Sequence, residues 1–167
     1  ALRTAFANYQ KSHPSPSRPF TVLELGTYCG YSSILIATLL RDIIGGDCYE
    51  IKTLEAHKPF STIAKEIIKL PGLGDVVEVI DVIDVKDAVG GLRADFVFVD
   101  HDKDLYLADL KVLIEGGCLR SGSVVAADNV VMGRIDDYLS FVKGEAKSED
   151  GFFVSSATHM NFIEYSE

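Results

Sequence analysis

Short, nearly continuous apolar runs recur along the 167-residue chain, and between them apolar positions return every three or four residues. The first pattern predicts buried strands and the second amphipathic helices. FTVLEL (20–25), YEIKTLE (49–55), VVEVI (76–80), DFVFVD (95–100) and GSVVAAD (122–128) read as strands. Helices are expected over 1–12, Tyr31 to Ile43, Pro59 to Leu70, Asp84 to Val89, 104–115 and Ile135 to Val142. Pro59 suits the first turn of its helix, where its missing N–H is not needed. HPSPSRP and PGLGD cannot continue a helix and read as connectors. Near the end, GFFVSS and NFIEY are two strands with no helix between them, so a hairpin is expected to close one edge. The predicted class is α/β: a mostly parallel, doubly wound sheet covered on both faces, with an antiparallel C-terminal hairpin edge.

Composition narrows this to one soluble globular domain over 1–167. Apolar residues make up 47% and charged residues 25%, and the length suits one sizeable core but not two. A net charge of −9 argues against nucleic acid or an anionic membrane surface as partner. No apolar run reaches the roughly 20 residues of a membrane span, and no signal peptide opens the chain. Cys29, Cys48 and Cys118 are widely spaced without a CxxC pair, which favours reduced packing thiols in an intracellular, cytoplasmic setting. His13, His57 and His159 lack metal-ligand spacing and read as incidental. The first residues, ALRTAFANYQ, include no methionine, so a truncated N-terminus is expected.

In a doubly wound sheet, ligands bind beyond the carboxyl ends of the strands, where strand order reverses. Acids stand at four of those ends: Glu24, Glu55, Asp100 and Asp128, the last followed by Asn129. The first strand continues into LELGTYCGYSS, a glycine turn and a helix start. Gly26 and Gly30 would admit a ligand close to the backbone, and Ser32 lies near the helix N-terminus. Tyr28 stands where GxGxxG has its second glycine and no GK[ST] lysine follows, which disfavours a pyrophosphate cradle. Glu55 is placed to accept from both hydroxyls of a ribose. Loop and acid together suggest a nucleoside ligand without pyrophosphate, which S-adenosylmethionine fits better than NAD does.

Asp100, Asp128 and Asn129 offer hard oxygen donors on strand ends that adjoin if the fourth and fifth strands pair, a set suited to Mg²⁺. Taken alone, ADN also reads as a helix cap. Lys103 follows Asp100 by about one helical turn, so both can face one crevice. Burial and nearby cations would lower its pKa toward roughly 7–8, where it could act as a base. The competing reading is a surface salt bridge to Asp102 or Asp104, with Asp104 as helix N-cap.

With these residues assembled, the sequence resembles the catechol O-methyltransferases from Val22 to Glu167. The family's loop stands here as LELGTYCGYS, its strand-four signature as DHDKDLY, its ADNV unchanged, and its C-terminal motif as FIEYSE. The resemblance implies a Rossmann-like methyltransferase fold that binds S-adenosylmethionine and Mg²⁺. Asp100, Asp128 and Asn129 would ligate the metal, Lys103 would deprotonate the hydroxyl to be methylated, and Glu164 would accept from the second hydroxyl of a small diphenol. Glu55 would hold the ribose, Gly26, Tyr28 and Ser32 the methionine end, Glu24 the cofactor's amino group, and His101 would lie near its adenine.

The chain departs from the family at Asp102, where a tryptophan is usual, and near Asp84-Val85, where a Ser-Gln pair serves the adenine. It departs again at Met132-Gly133, in the region of a substrate-walling proline, and the N-terminal helices that cover the cofactor are expected to be missing or truncated, with residues 1–12 able to represent part of them. These departures motivate a non-catalytic binding protein as the alternative from another class. A methyltransferase of caffeoyl esters is the close enzymatic rival, and an NAD-dependent oxidoreductase is the weakest reading.

Overall fold

The computed structural model of the chain describes residues 1–15, 18–130 and 135–145, with the backbone alone at 145. Five strands, β1 (Phe20–Leu25), β2 (Tyr49–Glu55), β3 (Val77–Asp81), β4 (Phe96–Val99) and β5 (Val124–Ala127), alternate with α1 (Leu2–Ser12), α2 (Tyr31–Ile44), α3 (Lys58–Lys69), α4 (Val85–Ala88), α5 (Tyr106–Glu115) and α6 (Asp136–Glu145). All four strand pairings are parallel, in the order β3-β2-β1-β4-β5. The chain builds outward from β1 to β3, then returns to place β4 on the other side of β1. The reversal therefore lies between the carboxyl ends of β1 and β4.

Every residue of β1 is buried, as expected for a central strand with a helical layer on each face. Its side chains alternate between two cores. Phe20 and Val22 join Tyr9, Leu40, Ile51 and Ile68 under α1, α2 and α3. Leu23 and Leu25 join Val97, Val99, Tyr106, Leu110 and Leu113 on the opposite face. Each such leucine contributes about 1.5–3 kcal/mol through its burial.

The amino ends of the strands are clasped by charge. Asp95, buried just before β4, takes two hydrogen bonds from Arg18 at 2.7 and 2.9 Å, one from Arg120 and one from the Thr21 N–H at 2.9 Å. The Arg18 guanidinium lies over the Tyr9 ring, whose hydroxyl donates to the Arg18 carbonyl at 2.5 Å. The connector after α1 is thereby fastened to the sheet.

The predicted strands and helices are all present within the described residues, with ends shifted by one or a few positions. One correction concerns the segment after β4. It opens with a 3₁₀ turn (Lys103–Leu105), and its cap is Asp102, whose carboxylate accepts the Asp104 N–H at 3.1 Å. Asp104 is not the cap, because Asp102 already stands in extended backbone two residues ahead of the donor that needs a partner. The expected C-terminal hairpin lies outside the described residues. No described helix is long and apolar enough to cross a membrane.

Candidate active site

At the reversal, the Asp100 N–H donates to the Leu25 carbonyl at 2.9 Å and prolongs the β1–β4 ladder. Gly26, next along from Leu25, has φ +101, and a side chain there would collide with the Asp100 carbonyl. Gly30 has φ +88, and a Cβ there would come within 3.1 Å of Ile68 in α3. The close approach that these glycines permit here is to protein: β1, β4, α2 and α3 converge on one loop.

Below that loop, Glu24 is fully buried on the α2 face of β1. Ser33 and Thr53 both donate to its Oε2, the latter at 2.6 Å, and Thr27 shares a hydrogen bond with Thr53 at 2.6 Å. Its Oε1 is buried with no hydrogen-bond partner among the described residues. Burial raises the Glu24 pKa, outweighing the hydroxyls of Ser32, Ser33 and Thr53, which favour the charged form, and Asp100 adds to the rise. A buried carboxylate with one oxygen unserved is costly by about 1–3 kcal/mol or more, and a cationic donor would relieve it. The ammonium of a methionine-type ligand fits that requirement.

Glu55, at the end of β2, accepts the Tyr28 N–H at 2.7 Å on one oxygen and the His57 N–H at 2.8 Å on the other. It therefore fixes the loop, and each oxygen retains a lone pair for a ligand hydroxyl. Tyr28 is held at φ +48, with its ring edge-on to Phe60 at 4.5 Å. Beyond β2 and β3 opens a cleft of about 600 Å³ lined by Ala56, Lys58, Val82, Ile83 and Asp87, among others. Its volume is within the range of small-molecule sites.

Across the reversal, Val99 pairs with Ala127 in register, so Asp100 and Asp128 take the next positions on adjacent strands. The Asp128 N–H donates to the Val99 carbonyl at 3.0 Å. Asp128 Oδ1 accepts the Asn129 N–H at 2.7 Å, and Asn129 stands at φ +55. Asp100 Oδ1 accepts from Lys103 Nζ at 3.0 Å. Among the described residues no hydrogen bond takes up the second oxygen of either carboxylate. Two half-engaged carboxylates and an adjacent amide form a donor set that fits a hard divalent cation. No group of three or more His, Cys, Asp or Glu converges anywhere among the described residues, so the set here is two carboxylates and one amide.

Lys103 also donates to the Tyr106 hydroxyl at 2.5 Å. Its partner is thus Asp100, not Asp102 or Asp104. Burial pulls the Lys103 pKa down, but the bonds to Tyr106 and Asp100 outweigh it, and the net shift is upward. Burial by itself therefore does not lower the Lys103 pKa overall, because two acceptors stabilise the ammonium. His101 turns toward α5: Asp109 accepts from its Nε2 at 2.7 Å, its ring stacks on Tyr106 at 5.1 Å, and its Nδ1 is buried without a partner among the described residues. Glu164 and Met132-Gly133 lie outside the described residues.

Of the residues singled out by sequence, the fold gathers Glu24, Gly26, Tyr28, Ser32 and Glu55 around the first loop. Asp100, Lys103, Asp128 and Asn129 gather across the reversal, with His101 behind them. Sequence reasoning missed Thr27, Ser33, Thr53, Tyr106 and Asp109. Tyr106 was within reach, since it follows Lys103 by one helical turn. The hydroxyls of Thr27 and Thr53 carry no spacing signal.

A family model described as O-methyltransferase matches residues 18–137. The chain is 37% identical over 147 residues to catechol O-methyltransferase B of Danio rerio, covering 84% of this chain and 54% of that protein. It is 35% identical over 154 residues to catechol O-methyltransferase of Mus musculus, covering 88% of this chain and 56% of that one. The chain thus spans about half the length of these relatives. Among solved structures, an SAH-bound methyltransferase of Podospora anserina superposes with a TM-score of 0.59 at 29% identity, covering 76% of this chain and 50% of that one.

Proposed function

The chain belongs to the O-methyltransferase family, and on that premise we propose that it transfers the methyl group of S-adenosylmethionine to a hydroxyl of a catechol or similar vicinal diphenol, with Mg²⁺ as cofactor. The observation that carries this reading is the contact between the two halves of the site. The loop above Glu24 packs directly on Asp100, and Asp100 is bonded to Lys103.

Glu24 would bind the cofactor's ammonium through its unpartnered Oε1, and Glu55 the ribose hydroxyls. S-adenosylmethionine, when bound, supplies a methyl group made electrophilic by its sulfonium. Asp100, Asp128 and the Asn129 amide oxygen would hold Mg²⁺, which when bound lowers the pKa of a neighbouring hydroxyl. Lys103 takes the proton of that hydroxyl on Nζ. Asp100 is one of the two groups that hold the Lys103 pKa up, so drawing negative charge away from Asp100 brings the lysine toward a working base. Glu164, by the family resemblance, would accept from the second hydroxyl. Orientation supplies the rest, since the attacking oxygen must lie in line with the departing sulfur.

The second reading, a binding protein without turnover, is favoured by Asp102, an exposed cap where the family usually has tryptophan. Labelled methyl transfer to a panel of catechols and caffeoyl esters separates the readings. Transfer is expected with Mg²⁺, is lost with chelator, and falls by about 10²–10⁴-fold in Lys103→Ala. No transfer to any diphenol would defeat the proposal. Transfer indifferent to chelator would remove the metal from it.

A further inference from the structure

We infer that the Tyr106 hydroxyl is the positioning group that fixes Lys103, an inference that rests on the methyl-transfer reading above. Tyr106 is fully buried, and its oxygen lies 2.9 Å from the Val99 carbonyl and 3.1 Å from the Asp128 carbonyl. A phenol has one hydrogen, and both carbonyls can only accept, so that hydrogen is committed to the backbone. Toward Lys103, 2.5 Å away, the phenol can then only accept. Asp100 Oδ1 takes a second N–H of Lys103 at 3.0 Å. Two of the three directions around Nζ are fixed in this way, and one remains for a substrate hydroxyl.

The ring itself cannot wander. It stacks on His101 at 5.1 Å and 12°, and Asp109 holds His101 from behind. Tyr138 of α6 meets it edge-on at 5.6 Å and 72°. The two carbonyls belong to Val99, directly before Asp100, and to Asp128. One hydroxyl therefore ties the lysine to the backbone beneath both acids. Tyr106 has no place in the reaction itself: it acts through Lys103.

Tyr106→Phe keeps the ring and removes the oxygen. The fold should tolerate it, because the Val99 carbonyl retains the Asp128 N–H at 3.0 Å. The melting temperature is expected to fall by about 2–4 °C. With the catechol substrate, kcat should fall about 10–100-fold while KM for both substrates stays within about threefold. Nitrogen-15 NMR near pH 6 gives a readout independent of turnover. The Lys103 ammonium should give a slowly exchanging signal in the wild type and lose it in Tyr106→Phe. An unchanged kcat, or a Lys103 signal indifferent to the substitution, would overturn the inference. So would a loss of kcat matched by an equal rise in KM, which marks a disturbed substrate site rather than a released lysine. If the variant does not fold, a Lys103 signal averaged with solvent in the folded wild type overturns it as well. A wild type that transfers no methyl group defeats the proposed function, yet loss of a protected Lys103 signal in Tyr106→Phe would still support the tether.

Discussion

Gly26 and Asp100 meet where the sheet reverses: the Asp100 carbonyl carbon lies 2.8 Å from the point where a side chain on Gly26 would begin. Gly26→Ala therefore meets two obstacles, a left-handed backbone at φ +101 and a neighbouring peptide that is itself hydrogen-bonded to Leu25. A loss of about 2–4 kcal/mol is expected, measured by urea denaturation. Cofactor affinity should fall too, since the loop and Asp100 would have to move apart.

Asp95→Asn tests the opposite edge of the sheet. It leaves Arg18 and Arg120 without their shared counter-charge, inside a clasp that fastens α1. The expected cost is about 3 kcal/mol in denaturation. Because Asp95 stands at the amino ends of the strands, cofactor affinity below the unfolding midpoint should be unchanged. A loss of affinity without a loss of stability would contradict this placement.

Glu24→Gln should separate stability from binding. The native Glu24 pKa is raised above its ordinary value, so its contribution to stability is fully present below about pH 4.5 and is lost as pH rises through the native pKa. At neutral pH the ionised form is a burden, and the isosteric amide should make the protein more stable than the wild type. The difference should close as the pH is lowered toward 4.5. Calorimetric affinity for S-adenosylmethionine should drop about tenfold or more, because the amide brings no charge to the ammonium.

Asp128→Ala removes one carboxylate of the proposed metal set and leaves Tyr106 and Lys103 in place. Raising the Mg²⁺ concentration should partly restore methyl transfer, with a half-saturating concentration at least about tenfold higher than in the wild type. An unaltered Mg²⁺ dependence would exclude Asp128 as a ligand.

Much of this architecture was legible in the sequence because its signals are local. FTVLEL reads as a central strand and is buried throughout, and Pro59 marks the first turn of α3. The acids at strand ends could be placed on one edge once the strands were known, since parallel order puts every carboxyl end together. What the sequence hides is how side chains share partners. Asp102 and Asp104 both qualify as caps by residue type, and only the backbone geometry decides between them. The Lys103 shift could not be signed from sequence, because its direction depends on Tyr106 and Asp100 together outweighing burial. The Glu24 network joins residues on β1, β2, α2 and the first loop, and no periodicity announces it.

Tyr28 and Asn129, at φ +48 and +55, are the non-glycine residues that hold left-handed backbone among the described residues. Both lie just past a strand end facing the crevice, and the strain is steeper for a bulky tyrosine than for an asparagine. Selection for folding alone would push both toward glycine where the relaxed backbone outweighs the packing lost, which for Tyr28 is its edge contact with Phe60. A library screened only for thermal resistance should therefore enrich glycine at 28 and, more weakly, at 129. The same library screened for methyl transfer should restore tyrosine and asparagine. The gap between those two outcomes would measure how far this crevice is kept by use rather than by folding.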